Sequence, residues 1–217
     1  MIKAILFDYD GTLSDRTGSA YRKMRHDLPL LVPGIDMDSI EAESMVQELM
    51  TLDEFGHVNK KHVYETFGKR HNLQIDIDKM RDYWNTDFCH YQILQDDCLE
   101  ILDELRKKYK LGVLTNGSVI AQRPKLELME IDKHVDYTLV SGETPYQKPD
   151  PRVFMFACEQ MDVKPEEVVF VGDTFHTDIV GALNCGMEAI WICSDPQRTS
   201  DWPVKRIYKL KELREIL

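Results

Sequence analysis

Asp8 and Asp10 stand one residue apart in FDYDGTL (residues 7–13), where a short apolar run ends in two carboxylates. Carboxylates act as nucleophiles, as proton carriers or as ligands of hard cations. Further along, Thr115 and Asn116 fall in LTNGS (114–118), Lys148 in YQKPDP (146–151), and Asp173 and Asp178 in GDTFHTD (172–178). Each stretch has a plainer meaning by itself. Asp and Gly are common turn formers, and acids around a helix start serve as caps and complement its dipole. A calcium loop would want a third oxygen-rich side chain close by, where Thr12 and Leu13 follow instead. Taken jointly, three acids converging on one strand edge would repel one another unless a cation or a proton sat among them. Oxygen donors without a Cys or His cluster favour Mg²⁺ over zinc. His176, a lone histidine at a helix start, reads as structural.

Short apolar runs must position these groups. IKAILF (2–7), LGVLT (111–115), VDYTLV (135–140), EVVFVGD (167–173) and EAIWIC (188–193) have the length and composition of buried parallel strands. Helical patterns alternate with them from residue 97 onward. Leu99, Ile101, Leu102 and Leu105 form one stripe, Asp150 caps a helix with Pro151 at its first position, and a helix from about Thr177 stops at Gly186. The expected fold is therefore α/β, a Rossmann-like parallel sheet covered on both faces. Ligands of such sheets bind at the carboxyl ends of the strands, where Asp8, Asp10, Thr115, Asn116 and Asp173 fall, while Lys148 lies in a loop that precedes a helix. Residues 15–95 break the rhythm, with helical stripes at Tyr21, Met24 and Leu28, at Ala42, Met45, Val46, Leu49 and Met50, and at Met80, Tyr83, Trp84 and Phe88. We expect a helical insert over 15–95 and a core formed by 1–14 and 96–217. The final IYKLKELREIL reads as a short strand or turn and a closing helix.

The 217 residues carry a formal charge of −11, which argues against nucleic-acid polymers and anionic membrane surfaces as partners. An anionic substrate must then be gathered by local positive charge. Five scattered cysteines suggest neither a disulfide framework nor a zinc ribbon, and no apolar run reaches membrane-spanning length, so a cytoplasmic protein, monomer or homodimer, is expected.

FDYDGTL, LTNGS, KPDP and GDTFHTD, in this order and on these elements, resemble the four motifs of the haloacid dehalogenase superfamily of phosphotransferases. The insert resembles the family's helical cap. The resemblance implies that Asp8 is a nucleophile forming an aspartyl-phosphate, with Mg²⁺ held by Asp8, Asp173 and the backbone carbonyl of Asp10. It implies that the Asp10 side chain is general acid and base, that Thr115 and the Asn116 N–H hold phosphoryl oxygens, and that Lys148 adds charge to the same group. Asp178 would orient Lys148 or a metal-bound water, and Thr12 would hydrogen-bond near Asp10 or cap the turn. Gly11 is expected where the turn leaves no room for a side chain.

The implied activity is Mg²⁺-dependent hydrolysis of a small phosphorylated metabolite, with sugar phosphates, nucleoside monophosphates and two-carbon phosphates all open and nucleoside monophosphates the first to test. A phosphomutase would keep every residue named. A dehalogenase would need neither a second aspartate nor a metal, and a non-catalytic phospholigand-binding protein would tolerate loss of Asp8 or Asp10. In the insert, Arg16, Tyr21, Arg22, Arg25, Asp53, Tyr83 and Trp84 are conceivable substrate contacts. The aromatics are better read as cap core, and the arginines as a solvated helix face.

Overall fold

A computed structural model describes all 217 residues and divides the chain into two compact units, one of residues 1–15 and 94–217, the other of residues 16–93. The first unit holds six parallel strands: β1 (Ala4–Phe7), β2 (Lys110–Thr115), β3 (Tyr137–Val140), β4 (Val168–Gly172), β5 (Glu188–Ile192) and β6 (Lys205–Ile207). Their order is β3-β2-β1-β4-β5-β6. The order reverses direction beside β1, so β1 lies at the topological switch point, where open α/β sheets bind ligands.

Alternation along each strand divides the core. Ile5, Phe7, Leu111, Val113, Val169 and Val171 join one apolar cluster; Ala4, Leu6, Leu114, Val168 and Phe170 join the other. Each cluster needs a helical layer to keep it from water. The helix over Cys98–Leu105 supplies Ile101, Leu102 and Leu105 to the first cluster, and the helix over Pro151–Gln160 supplies Val153, Phe154 and Ala157 to the second. That second helix starts as its sequence requires, with the Asp150 carboxylate accepting from the Arg152 N–H at 3.0 Å and Pro151 in its first turn. The stretch after β4 differs from the expected single helix. Phe175–Ile179 forms a wide π-type turn before a short helix over Val180–Asn184, and Gly186 follows at φ +83°. Such wide turns often mark functional segments.

The second unit contains α1 (Arg16–Leu31), α2 (Ile40–Asp53), α3 (Lys60–His71) and α4 (Ile77–Asp87). Ser39, Asn59 and Asp76 cap α2, α3 and α4 by accepting from the N–H groups of Ala42, Lys61 and Lys79. Its core joins Met24, Leu28, Ala42, Val46, Leu49, Trp84 and Phe88 with Val63, Tyr64 and Phe67 of α3, a helix absent from the expected stripes. Within the first unit the two chain crossings are tied together. Ser14 bridges Asp10 on one side and Leu94 on the other, and the Gln95 N–H donates to the Leu13 carbonyl at 2.9 Å. No helix is long and apolar enough to cross a membrane.

Candidate active site

Strand register brings the motifs level. Phe7 pairs with Val113 on one side and Val171 on the other, so Asp8 leaves β1 one residue below the heights of Thr115 and Asp173. The Asp8 N–H donates to the Val171 carbonyl at 2.9 Å, which extends the pairing to Asp8 itself. At the next turn Gly11 takes φ +88°, and a Cβ there would stand 2.6 Å from Asp173 Oδ2. Only glycine meets both demands, the left-handed backbone and the close approach of a carboxylate.

Asp8, Asp173 and Asp178 each bring a carboxylate oxygen within 4.8 Å of the others. Lys148 lies between two of them: its Nζ is 2.6 Å from Asp8 Oδ1 and 2.8 Å from Asp178 Oδ1. Asp8, Lys148 and Asp178 are all buried, whereas Asp173 is half-buried. Burial pushes the Asp8 carboxyl up to about 7, with Asp178 adding to the rise and Lys148 opposing it. Burial also raises Asp173 well above the carboxylate range, reinforced by Asp8 and Asp178. Lys148 moves upward despite the desolvation that opposes its charge, because Asp178 and Asp8 favour the ammonium. One ammonium thus serves three acids, and the excess proton affinity falls on Asp8 and Asp173. An all-oxygen, anionic donor set of this kind fits a hard divalent cation and not zinc.

Asp178 is held from several directions. Its Oδ2 accepts the Thr174 N–H at 2.9 Å while Oδ1 faces Lys148. It packs so close to β4 that a Cβ on Gly172 would fall 2.5 Å from it. Asp173 is fixed through its backbone, whose carbonyl accepts from Trp191 Nε1 at 2.8 Å.

One expectation gains a second role and another changes. The Asn116 side chain grips the Lys148 backbone, its Oδ1 accepting from the Lys148 N–H and its Nδ2 donating to the Lys148 carbonyl, both at 2.9 Å. Beyond the expected phosphate contact from its N–H, Asn116 therefore sets where the Lys148 ammonium stands. Thr12 makes no side-chain bond near Asp10: its Oγ1 is buried without a hydrogen-bond partner, and only its N–H joins the turn, to the Tyr9 carbonyl at 3.3 Å. His176 is exposed.

Two residues on the helix over Val119–Leu128 escaped the sequence reading. Gln122 Nε2 donates to Asp10 Oδ2 at 2.8 Å and to the Asn116 carbonyl at 2.7 Å, and it lies 3.2 Å from Thr115 Oγ1. Lys125 Nζ reaches both Asp10 oxygens, at 2.7 and 3.0 Å. Both are buried. The signal available was their spacing of three with Leu126 alongside, which puts them on the inward face.

The insert holds another carboxylate pair, Asp27 and Asp87, near His26. Lys23 Nζ already sits there, 2.6 Å from Asp27 and 3.0 Å from Asp87, which makes it a structural ion cluster. The arginines of α1 also part ways. Arg22 is exposed, Arg25 binds Glu43 and the Met37 carbonyl, and Arg16 is buried, contrary to the solvated face expected for all three.

Residues 5–192 match the family model of haloacid dehalogenase-like hydrolases. An N-acylneuraminate-9-phosphatase of Mus musculus is 32% identical over 234 residues, covering 100% of this chain and 94% of the relative. A glyceraldehyde 3-phosphate phosphatase of Methanothermobacter thermautotrophicus is 32% identical over 229 residues, covering 100% of both. Among solved structures, the HAD hydrolase YfnB of Bacillus subtilis, crystallised with magnesium, superimposes with a TM-score of 0.78 at 22% identity over 100% of this chain and 98% of that one. A HAD phosphatase of Thermococcus onnurineus gives 0.63 at 29% identity, covering 99% and 97%. The chain belongs to the haloacid dehalogenase-like hydrolases and is a phosphatase.

Proposed function

We propose that the protein is a Mg²⁺-dependent phosphomonoester hydrolase that forms an aspartyl-phosphate on Asp8 and acts on a small phosphorylated metabolite. The observation that carries this reading is the cluster of Asp8, Asp173 and Asp178 around a single ammonium, Lys148 Nζ at 2.6 Å from Asp8. Asp8, Asp173 and the Asp10 carbonyl would hold the ion, as the resemblance implies, while Asp178 is tied to Lys148 and the Thr174 N–H. Bound there, Mg²⁺ supplies positive charge that offsets the repulsion between a carboxylate and a phosphoryl dianion.

The chain's own groups do the rest. An Asp8 oxygen bonds to phosphorus while the bond from phosphorus to the leaving oxygen breaks, and Asp10 gives its proton to the departing alkoxide. Asp10 then takes a proton from water as that water attacks the aspartyl-phosphate, releasing inorganic phosphate and restoring the Asp8 carboxylate. Lys148, placed by Asn116, and the Thr115 hydroxyl with the Asn116 N–H hold the phosphoryl oxygens. Lys125 and Gln122 fix the position of the Asp10 side chain.

The activities named for the two relatives above, on N-acylneuraminate 9-phosphate and on glyceraldehyde 3-phosphate, favour small sugar-type phosphates over nucleoside monophosphates as first substrates to test. Hydrolysis of an aryl phosphate with and without Mg²⁺ tests the core claim. Turnover that requires the ion, and that vanishes in Asp8→Asn, is expected; equal rates with and without the ion would overturn it.

A further inference from the structure

Sheet pairing stops one residue short of Asp173. β4 ends at Gly172, whose register partner on β5 is Trp191, so the Asp173 carbonyl lies beyond the last rung of that ladder. The Trp191 side chain takes over there, donating from Nε1 to this carbonyl at 2.8 Å. Arg198 Nη2 stands 3.5 Å from the same oxygen, at the outer limit of a hydrogen bond.

The Asp173 side chain has less to direct it than its neighbours. Its carboxylate accepts from Thr174 Oγ1 at 3.3 Å, whereas Asp8 and Asp178 take Lys148 Nζ at 2.6 and 2.8 Å. Carboxylates within 4.8 Å of one another repel, so the least tethered of the three swings away unless its backbone is fixed.

The indole that fixes it is itself clamped. Trp191 is 4% exposed and packs with Phe175, Ile179 and Cys193. Phe175 meets it edge-on with ring centroids 5.0 Å apart, and the guanidinium carbons of Arg206 and Arg198 lie 5.0 and 5.6 Å from its centroid. Arg206 Nη1 in turn donates to the Arg198 carbonyl at 2.7 Å. Phe175 and Ile179 bound the π-type turn that carries Asp178, so one ring braces the backbone on both sides of the acid cluster. A buried indole N–H needs an acceptor, and a ring held this firmly presents it in one direction.

We propose that Trp191 is a positioning residue of the metal site: its indole N–H holds the Asp173 backbone so that the carboxylate stays turned toward Asp8, and it thereby sets the affinity for Mg²⁺. The inference rests on the hydrolase reading above, in which Asp173 is a ligand of the ion.

Calorimetric titration of the full chain with Mg²⁺ tests it. Replacing the Trp191 indole by its benzothienyl analogue, with sulfur in place of N–H, keeps the ring and removes only the donor, while Trp191→Phe removes the donor with a smaller ring. Both should weaken Mg²⁺ binding about 10- to 100-fold, the usual loss when the partner that orients a metal ligand is removed. With an aryl phosphate, the Mg²⁺ concentration giving half the maximal rate should rise in step, and kcat at saturating Mg²⁺ should fall by a smaller factor. Unchanged Mg²⁺ affinity in the benzothienyl variant, whatever its Tm or kcat, overturns the positioning role and leaves the hydrolase reading standing. If the unaltered chain binds no Mg²⁺, the metal-dependent reading fails and this inference with it.

Discussion

Replacing Asp8 with Asn should stabilise the metal-free protein while abolishing turnover. Asp8 is buried, and its carboxyl is raised from 3.8 to about 7 by that burial and by Asp178, against the pull of Lys148. The folded pKa lies above the unfolded one, so between about pH 4 and 7 the folded chain keeps a proton that the unfolded chain has lost. Stability therefore falls as pH rises through that window. At about 1.4 kcal/mol per tenfold change in proton affinity, the full loss at pH 8 is about 4 kcal/mol. Asparagine is neutral and nearly the same shape, so it escapes this loss. It gives up the bond from Lys148 Nζ to Asp8 at 2.6 Å, worth about 1.5–3 kcal/mol, while Lys148 keeps Asp178 at 2.8 Å. The expected net gain in EDTA at pH 8 is about 1–3 kcal/mol, or roughly 3–10 °C in Tm for a chain of this size. At pH 4, where Asp8 is protonated in the folded chain and largely so in the unfolded one, the gain should nearly vanish. Thermal unfolding of both proteins at the two pH values in EDTA measures this directly. Destabilisation at pH 8, or an equal gain at both pH values, would refute the charge assignment.

Three further outcomes are expected. Asp10→Asn should slow hydrolysis of alkyl phosphates about 10²- to 10⁴-fold but that of activated aryl phosphates far less, because a good leaving group needs little protonation; equal losses on parallel Brønsted plots would reassign Asp10. Lys125→Met removes the ammonium 2.7 Å from Asp10, and kcat should fall about tenfold with KM changed less than threefold, while Lys125→Arg restores part of the rate. The apparent Mg²⁺ affinity, read by calorimetry, should weaken below pH 7 by up to about tenfold per pH unit, because the ion displaces the proton that Asp8 retains there; affinity flat from pH 5 to 8 would contradict this.

The strands that carry the chemistry were legible because parallel strands buried on both faces leave short, nearly continuous apolar runs, as AILF and VVFVG do. The edge strand β6 was blurred, since KRI lies at the sheet margin and carries two charges in three residues. Helix α3 was missed because its apolar positions, Val63, Tyr64 and Phe67, are spread through a basic stretch. Positions one to five residues apart at strand ends could be placed from the sequence alone. The hold on Asp10 could not, because Gln122 and Lys125 lie 112 and 115 residues away along the chain, and their side chains read equally well as solvent-facing. Thr12 failed for the opposite reason: its place beside Asp10 suggested a bond that the turn does not form.

The double bridge at Ser14 has a consequence for how such a chain can diversify. Because the outgoing and returning segments are fastened to each other inside the first unit, the sheet does not depend on the insert for its alignment. Residues 16–93 can therefore drift, lengthen or be exchanged for a foreign module without undoing the bridges that align the sheet and its carboxylates.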